Sequence, residues 1–111
     1  MFAHLSPEKL FSLAGKTVFI TGGAGGIAGA LANAYAAAGA TLVLVDRNPA
    51  VVERAEALAA AGAKAYGLVS DITDDAAVAD AIERTVALTG RLDVVVNVAR
   101  FDERVQKKLR A

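Results

Sequence analysis

Residues 17–21, TVFIT, are β-branched, aromatic and apolar, with Gly15-Lys16 before them and glycines after. That pattern predicts a short strand buried on both faces. From Gly25 to Ala38 the period changes: Ile27, Leu31, Ala34 and Ala38 share one helical face, and Gly39 supplies the stop. TLVLV at 41–45 predicts a second buried strand. Asn48-Pro49 predicts a cap followed by proline at the first helical position, opening a helix to about Ala61 that Gly62 ends. KAYGLV at 64–69 predicts a third, weaker strand. Thr73 is the expected cap of a third helix, with Asp74 and Asp75 in its first turn, Val78, Ile82 and Val86 on its apolar face and Gly90 at its end. LDVVVN at 92–97 predicts the fourth strand. Strands alternating with helices over short connections imply right-handed βαβ units and a parallel sheet.

Composition narrows the class. The chain has 111 residues, enough for one domain. Hydrophobic residues make up 55%, which argues against disorder. Net charge is zero, so no global field favours nucleic acid or an acidic membrane. There is no cysteine, and His4 is the single histidine, so disulfides, thiolate chemistry and most metal sites are not expected. MFAHLSPEKL lacks the order of a signal peptide, and no apolar run is long enough to span a bilayer. A soluble, cytoplasmic domain is the expectation.

TGGAGGIA at 21–28 joins the first strand to the first helix. A helix N-terminus carries unpaired N–H groups and partial positive charge, so anions bind there. Glycine is needed where the backbone must come close to a phosphate. Two registers fit: Gly23, Gly25 and Ala28, or Gly22, Gly26 and Ala28. No Gly-Lys-Ser/Thr follows, so this is not a Walker loop. Asp46 ends the second strand, where a carboxylate accepts hydrogen bonds from a ribose 2′-hydroxyl and repels a 2′-phosphate. The competing role for Asp46 is that of a turn residue before Asn48. Arg47 beside it reads as a solvated side chain, although a cation there suits a 2′-phosphate.

TVFITGGAGGIA, VLVDRN, SDIT and LDVVVNVA together resemble the N-terminal half of a short-chain dehydrogenase/reductase, over about residues 12–99. The resemblance implies a Rossmann-like, doubly wound sheet of four strands in order 3-2-1-4, with the first two helices on one face and the third on the other. It implies NAD as cofactor, in a crevice between strands 1 and 4. Thr21, Gly22, Gly26 and Ala28 fall on the family's TGxxxGxG loop, with alanine where glycine is usual. By the same resemblance Ile27 lies by the cofactor phosphates and Asp46 selects NAD. The resemblance likewise implies that Asp71 contacts the adenine amino group and that the backbone of Ile72 flanks the adenine. Asn97 and Ala99 match the family's Asn-Asn-Ala-Gly, whereas Val98 and Arg100 depart from it. Asn97 is equally suited to tying strand ends together through its amide.

The family transfers hydride between nicotinamide and an alcohol or carbonyl with a Tyr-x-x-x-Lys pair. Tyr35 is followed four residues on by Gly39 and Tyr66 by Ser70, so the pair does not occur in this sequence. The expectation is a dinucleotide-binding domain over 1–99 without catalytic residues. The alternatives are a non-catalytic nucleotide-binding or interaction module, and a non-functional fragment. Residues 100–111 depart from the family. Phe101, Val105 and Leu109 recur every four residues, with five basic groups against two acidic ones, which predicts a short amphipathic helix. The change at 98–100 suggests a truncated or altered chain. VVVN would then be a bare apolar edge, prone to self-association.

Overall fold

The computed structural model describes residues 12–98. The expectations for His4, Ala99, Arg100 and the 100–111 helix lie outside the described residues. The elements follow in the order β1 (Thr17–Thr21), α1 (Gly26–Ala37), β2 (Thr41–Asp46), α2 (Ala50–Ala60), β3 (Lys64–Val69), α3 (Asp75–Thr89) and β4 (Val94–Asn97). The sheet runs β3-β2-β1-β4, and its strand pairs are parallel.

Alternation along the strands divides the core. Val18, Ile20, Leu42 and Leu44 face α1 and α2, where they meet Ala28, Ala32, Val51 and Ala55. Phe19, Val43, Val45 and Leu68 face the other way and pack with Ala81 of α3. Each large apolar side chain removed from water in this way contributes about 1.5–3 kcal/mol. The central strands β1 and β2 are thus covered on both faces, as their unbroken apolar sequences require.

The helices dock on smaller residues than the apolar periodicity suggests. On α1 the buried positions are Ala28 and Ala32, with Tyr35 and Ala36 packed beside them. Ile27 is 72% exposed, and Ala34 is also exposed. On α3 the buried positions are Ala81 and Thr85, while Ile82 and Val86 lie exposed on its flank. A helix can sit close to a sheet only where its contact row is small. On α1 and α3 alanine and threonine therefore take the middle of the contact, and the larger residues are displaced around the helix.

The caps explain the boundaries. Asn48 Oδ1 accepts from Ala50 N at 3.0 Å, and Pro49 already has helical angles, so Asn48 caps α2 with proline behind it. Helix α1 ends in a Schellman motif: Gly39 N donates to Ala36 O at 3.0 Å and Ala40 N to Tyr35 O at 3.1 Å. Gly39 has φ +93°, a conformation that glycine adopts without steric cost. Thr73 is not the cap of α3. Asp74 is, its Oδ1 accepting from Ala76 N at 3.0 Å and Ala77 N at 3.4 Å. Thr73 is instead turned back onto Asp71, whose Oδ1 accepts from both its N–H (2.9 Å) and its hydroxyl (2.7 Å).

A carboxylate also anchors the amino end of the sheet. Asp93 Oδ2 accepts from Thr17 N at 2.8 Å, and both carboxylate oxygens pair with the Arg91 guanidinium at 2.7 Å. The Arg91 hydrogen bond, then the Thr17 N–H, hold the Asp93 carboxyl below its ordinary value of 3.8. The stability linked to a lowered carboxyl pKa is fully present above the unfolded value and is lost as pH falls through the folded one. Wild type and Asp93→Asn should therefore differ in urea midpoint by a constant margin near neutrality. The margin should close below pH 3.8. A margin independent of pH down to strongly acidic conditions would refute the linkage.

Candidate functional site

All four strands present their carboxyl ends at one edge of the sheet. Helices α1 and α2 leave to one face and α3 to the other, so the chain diverges between β1 and β4. In open α/β sheets that divergence opens a ligand crevice. The segments after the strands supply its rim: 22–27 after β1, Asp46 and Arg47 at the end of β2, Asp71 and Ile72 after β3, and Asn97 at the end of β4.

The glycine loop is shaped by its own glycines. Gly22 has φ +69°, and Gly25 N donates to Gly22 O at 3.0 Å, closing a tight turn. Gly23 is buried, and its N–H donates to Val45 O at 3.0 Å. A Cβ there would lie 2.8 Å from Leu44 Cβ and 3.0 Å from both Val45 N and Val51 Cγ2. Gly26 is different: a Cβ added to it would meet nothing within 4 Å. Gly25, Gly26 and Ile27 are all exposed. Gly29 N, donating to Gly25 O at 3.1 Å, closes the first α-helical bond. The N–H groups of Gly26, Ile27 and Ala28 precede that bond, at the positive end of α1. The loop therefore presents exposed backbone from Gly25 to Ile27 at that end of the helix.

Asp46 is held by the same loop. Its Oδ2 accepts from Ala24 N at 3.0 Å, and its Oδ1 accepts from Asn48 N at 3.0 Å. The turn role weighed for this residue is thus real. An ionised carboxylate has about four acceptor sites, so two hydrogen bonds leave room for ligand hydroxyls. Arg47 is exposed beside it. Ser70 N donates to Asp46 O at 3.0 Å, which carries the rim on to half-buried Asp71 and Ile72. Asn97 Oδ1 accepts from the Thr21 hydroxyl at 2.7 Å, tying the ends of β4 and β1 together. The amide tie read from the sequence is therefore present. Ala99 lies outside the described residues.

Arg54 was not among the residues singled out by sequence. It stands on α2, and its Nη1 donates to Gly23 O at 2.9 Å and also to Gly25 O. The available signal was positional. Arg54 lies three residues after Val51 and four before Leu58, both packed on the core, so its stem starts from the inward half of α2.

Comparison with known proteins covers the whole of this region. The family model described as short chain dehydrogenase matches residues 16–109. The oxidoreductase UcpA of Escherichia coli is 40% identical over 87 residues, which cover 78% of this chain and 33% of that relative. A dehydrogenase/reductase structure from Sinorhizobium meliloti matches with a TM-score of 0.75 and 42% identity, covering 83% of this chain and 37% of that one. The NADPH-dependent 3-quinuclidinone reductase of Rhodotorula rubra matches with a TM-score of 0.76 and 39% identity, over 81% and 35% of the two chains. The chain thus spans about a third of the length of these relatives.

Proposed function

The chain belongs to the short chain dehydrogenase family, and from that premise we propose that it binds NAD through the adenosine and pyrophosphate part of the family's site. The observation that carries the proposal is the glycine loop: Gly23 buried where the loop meets the sheet, and an open Gly26 at the N-terminus of α1. The backbone of 22–27 would hold the pyrophosphate, with Ile27 beside it. Asp46 would accept from the ribose hydroxyls, and Asp71 and Ile72 would border the adenine. Asn97 would lie toward the nicotinamide. The bound nicotinamide supplies hydride acceptance or donation, and the chain's own residues bind and orient it. The sequence contains no Tyr-x-x-x-Lys pair, so binding without turnover is the behaviour proposed for these 111 residues. In complete family members the reaction is hydride exchange with an alcohol or carbonyl.

One of the relatives is named for NADPH, so family alone does not choose the cofactor. The preference proposed here rests on Asp46, a carboxylate at the end of β2 that would repel a 2′-phosphate. Calorimetric titration of the chain with NAD and with NADP tests it. Heat of binding from NAD at concentrations where NADP gives none is the expected result. A folded chain that binds neither cofactor would leave the interaction module or the inert fragment as the better account.

A cytoplasmic setting fits a cysteine-free chain that uses a nicotinamide cofactor. Among the described residues no helix is long and apolar enough to cross a membrane. Self-association is proposed through β4. Among the described residues this strand pairs only with β1, and its Val95 is 59% exposed. Exposed apolar edges recruit further strands, and an edge lysine opposes this. Sedimentation velocity should show concentration-dependent dimers that Val95→Lys reduces to monomer. A wild-type chain that stays monomeric throughout would remove this part of the proposal.

A further inference from the structure

We propose that Arg54 is a positioning residue of the dinucleotide site, one that sets the peptide planes of the glycine loop so that the Gly26 N–H faces the ligand. The inference rests on the reading that this loop holds the pyrophosphate. In a trans peptide the carbonyl and the N–H point in opposite directions. Fixing one therefore aims the other. The peptide between Gly23 and Ala24 is gripped at both ends: Arg54 Nη1 donates to Gly23 O at 2.9 Å, and Ala24 N donates to Asp46 Oδ2 at 3.0 Å. The peptide between Gly25 and Gly26 is gripped at its oxygen, which accepts from Arg54 Nη1 and from Gly29 N. Its N–H, on Gly26, must then point away from Arg54. Gly26 is exposed, and its Cβ direction is clear of other atoms within 4 Å.

The arrangement has a second consequence. Arg54 and Asp46 hold opposite ends of one peptide, but Asp46 also accepts from Asn48 N, so the carboxylate proposed for the ribose keeps its own anchor when Arg54 is replaced. The guanidinium also brings a positive charge to the anion-binding end of α1. Without an anion, a cation there is opposed by the helix dipole. A bound pyrophosphate removes that opposition.

Gly29 belongs to the same device. A Cβ on Gly29 would lie 3.2 Å from the Arg54 Cζ and Nη1 atoms. Gly29→Ala would shift the guanidinium by a few tenths of an ångström against the carbonyls it bridges, while raising helix propensity, since alanine is the better helix former. It separates loop positioning from folding.

The test is titration of the 111-residue chain with ADP and with adenosine, followed by calorimetry or by amide chemical shifts where binding is weak. Arg54→Met should lower ADP affinity about tenfold, because the loop is no longer preorganised, and Gly29→Ala should lower it by a smaller factor in the same direction. Adenosine affinity should be unchanged in both variants, and Gly29→Ala should melt no lower than wild type. Arg54→Lys, which keeps the charge but not the fixed fork, should recover part of the loss. If both variants bind ADP like wild type, or if adenosine affinity falls in step with ADP, Arg54 does not position the loop. If Arg54→Met fails to fold, Gly29→Ala decides alone. A wild-type chain that binds adenosine but not ADP overturns the pyrophosphate reading itself, and the role of Arg54 with it.

Discussion

Gly23→Ala should lower stability by about 1–3 kcal/mol, the usual cost of forcing extra atoms into a packed core. The added methyl meets three fixed neighbours at once: Leu44 Cβ at 2.8 Å, Val45 N at 3.0 Å and Val51 Cγ2 at 3.0 Å. None is the free end of a flexible side chain. Leu44 and Val45 belong to the central part of β2, and Val51 is fully buried in the first turn of α2. Relief must come from the loop itself, which would be driven off the sheet. The Gly23 N–H bond to Val45 O and the Arg54 bond to Gly23 O would lengthen together. Dinucleotide affinity should therefore fall along with stability. Gly26→Ala provides the contrast. Its methyl enters open space at the start of a helix, so the urea midpoint should hold or rise while NAD binding weakens. Urea denaturation and NAD titration on the two variants measure both effects. Equal stability of Gly23→Ala and wild type would mean that the loop does not pack as described.

The strands were legible because their signal is unambiguous. TVFIT and TLVLV have no polar interior position, and a strand covered on both faces needs none. The parallel order followed from the alternation with helices, and with it the edge where the site residues gather. The docking faces of α1 and α3 were not legible from large apolar residues. Ile27 stands in the first turn of α1, beyond the sheet contact, and the contact falls on Ala28 and Ala32. An alanine-rich helix has almost no contrast between faces, so Ile27 and Leu31 set the apparent direction wrongly. Gly67 shows a similar limit. In sequence it weakens β3, whereas in the fold a Cβ there would lie 2.8 Å from Val51 O and Val52 Cα. It is the position that lets α2 lie against the sheet. For Asp46 and Asn97 the sequence admits both a binding role and a local role, and the local contacts of both are present. Arg54 was missed because its partners lie 31 and 29 residues away and depend on how α2 leans across the loop.

Asp46→Ala should weaken NAD binding about 10–100-fold, since hydrogen bonds to a charged acceptor contribute about 1.5–3 kcal/mol each. A general loss of affinity would not distinguish the two roles of this carboxylate. Its bonds to Ala24 N and Asn48 N shape the loop and the following turn, and their removal alone would weaken any ligand of that loop. The second cofactor separates the roles. If Asp46 only shapes the backbone, NAD and NADP affinities should fall by the same factor. If it also faces the ribose, NAD loses its hydroxyl partner while NADP is released from the repulsion between a carboxylate and a 2′-phosphate. The NAD-to-NADP affinity ratio should then collapse, with NADP binding unchanged or improved. Asp46→Asn refines the test, because an amide oxygen can keep one of the two local bonds while the charge is gone. It should retain more of the fold's stability than Asp46→Ala and show the same loss of discrimination. A ratio that stays constant across both variants would confine Asp46 to its backbone contacts, and cofactor choice would then have to be sought elsewhere on the rim.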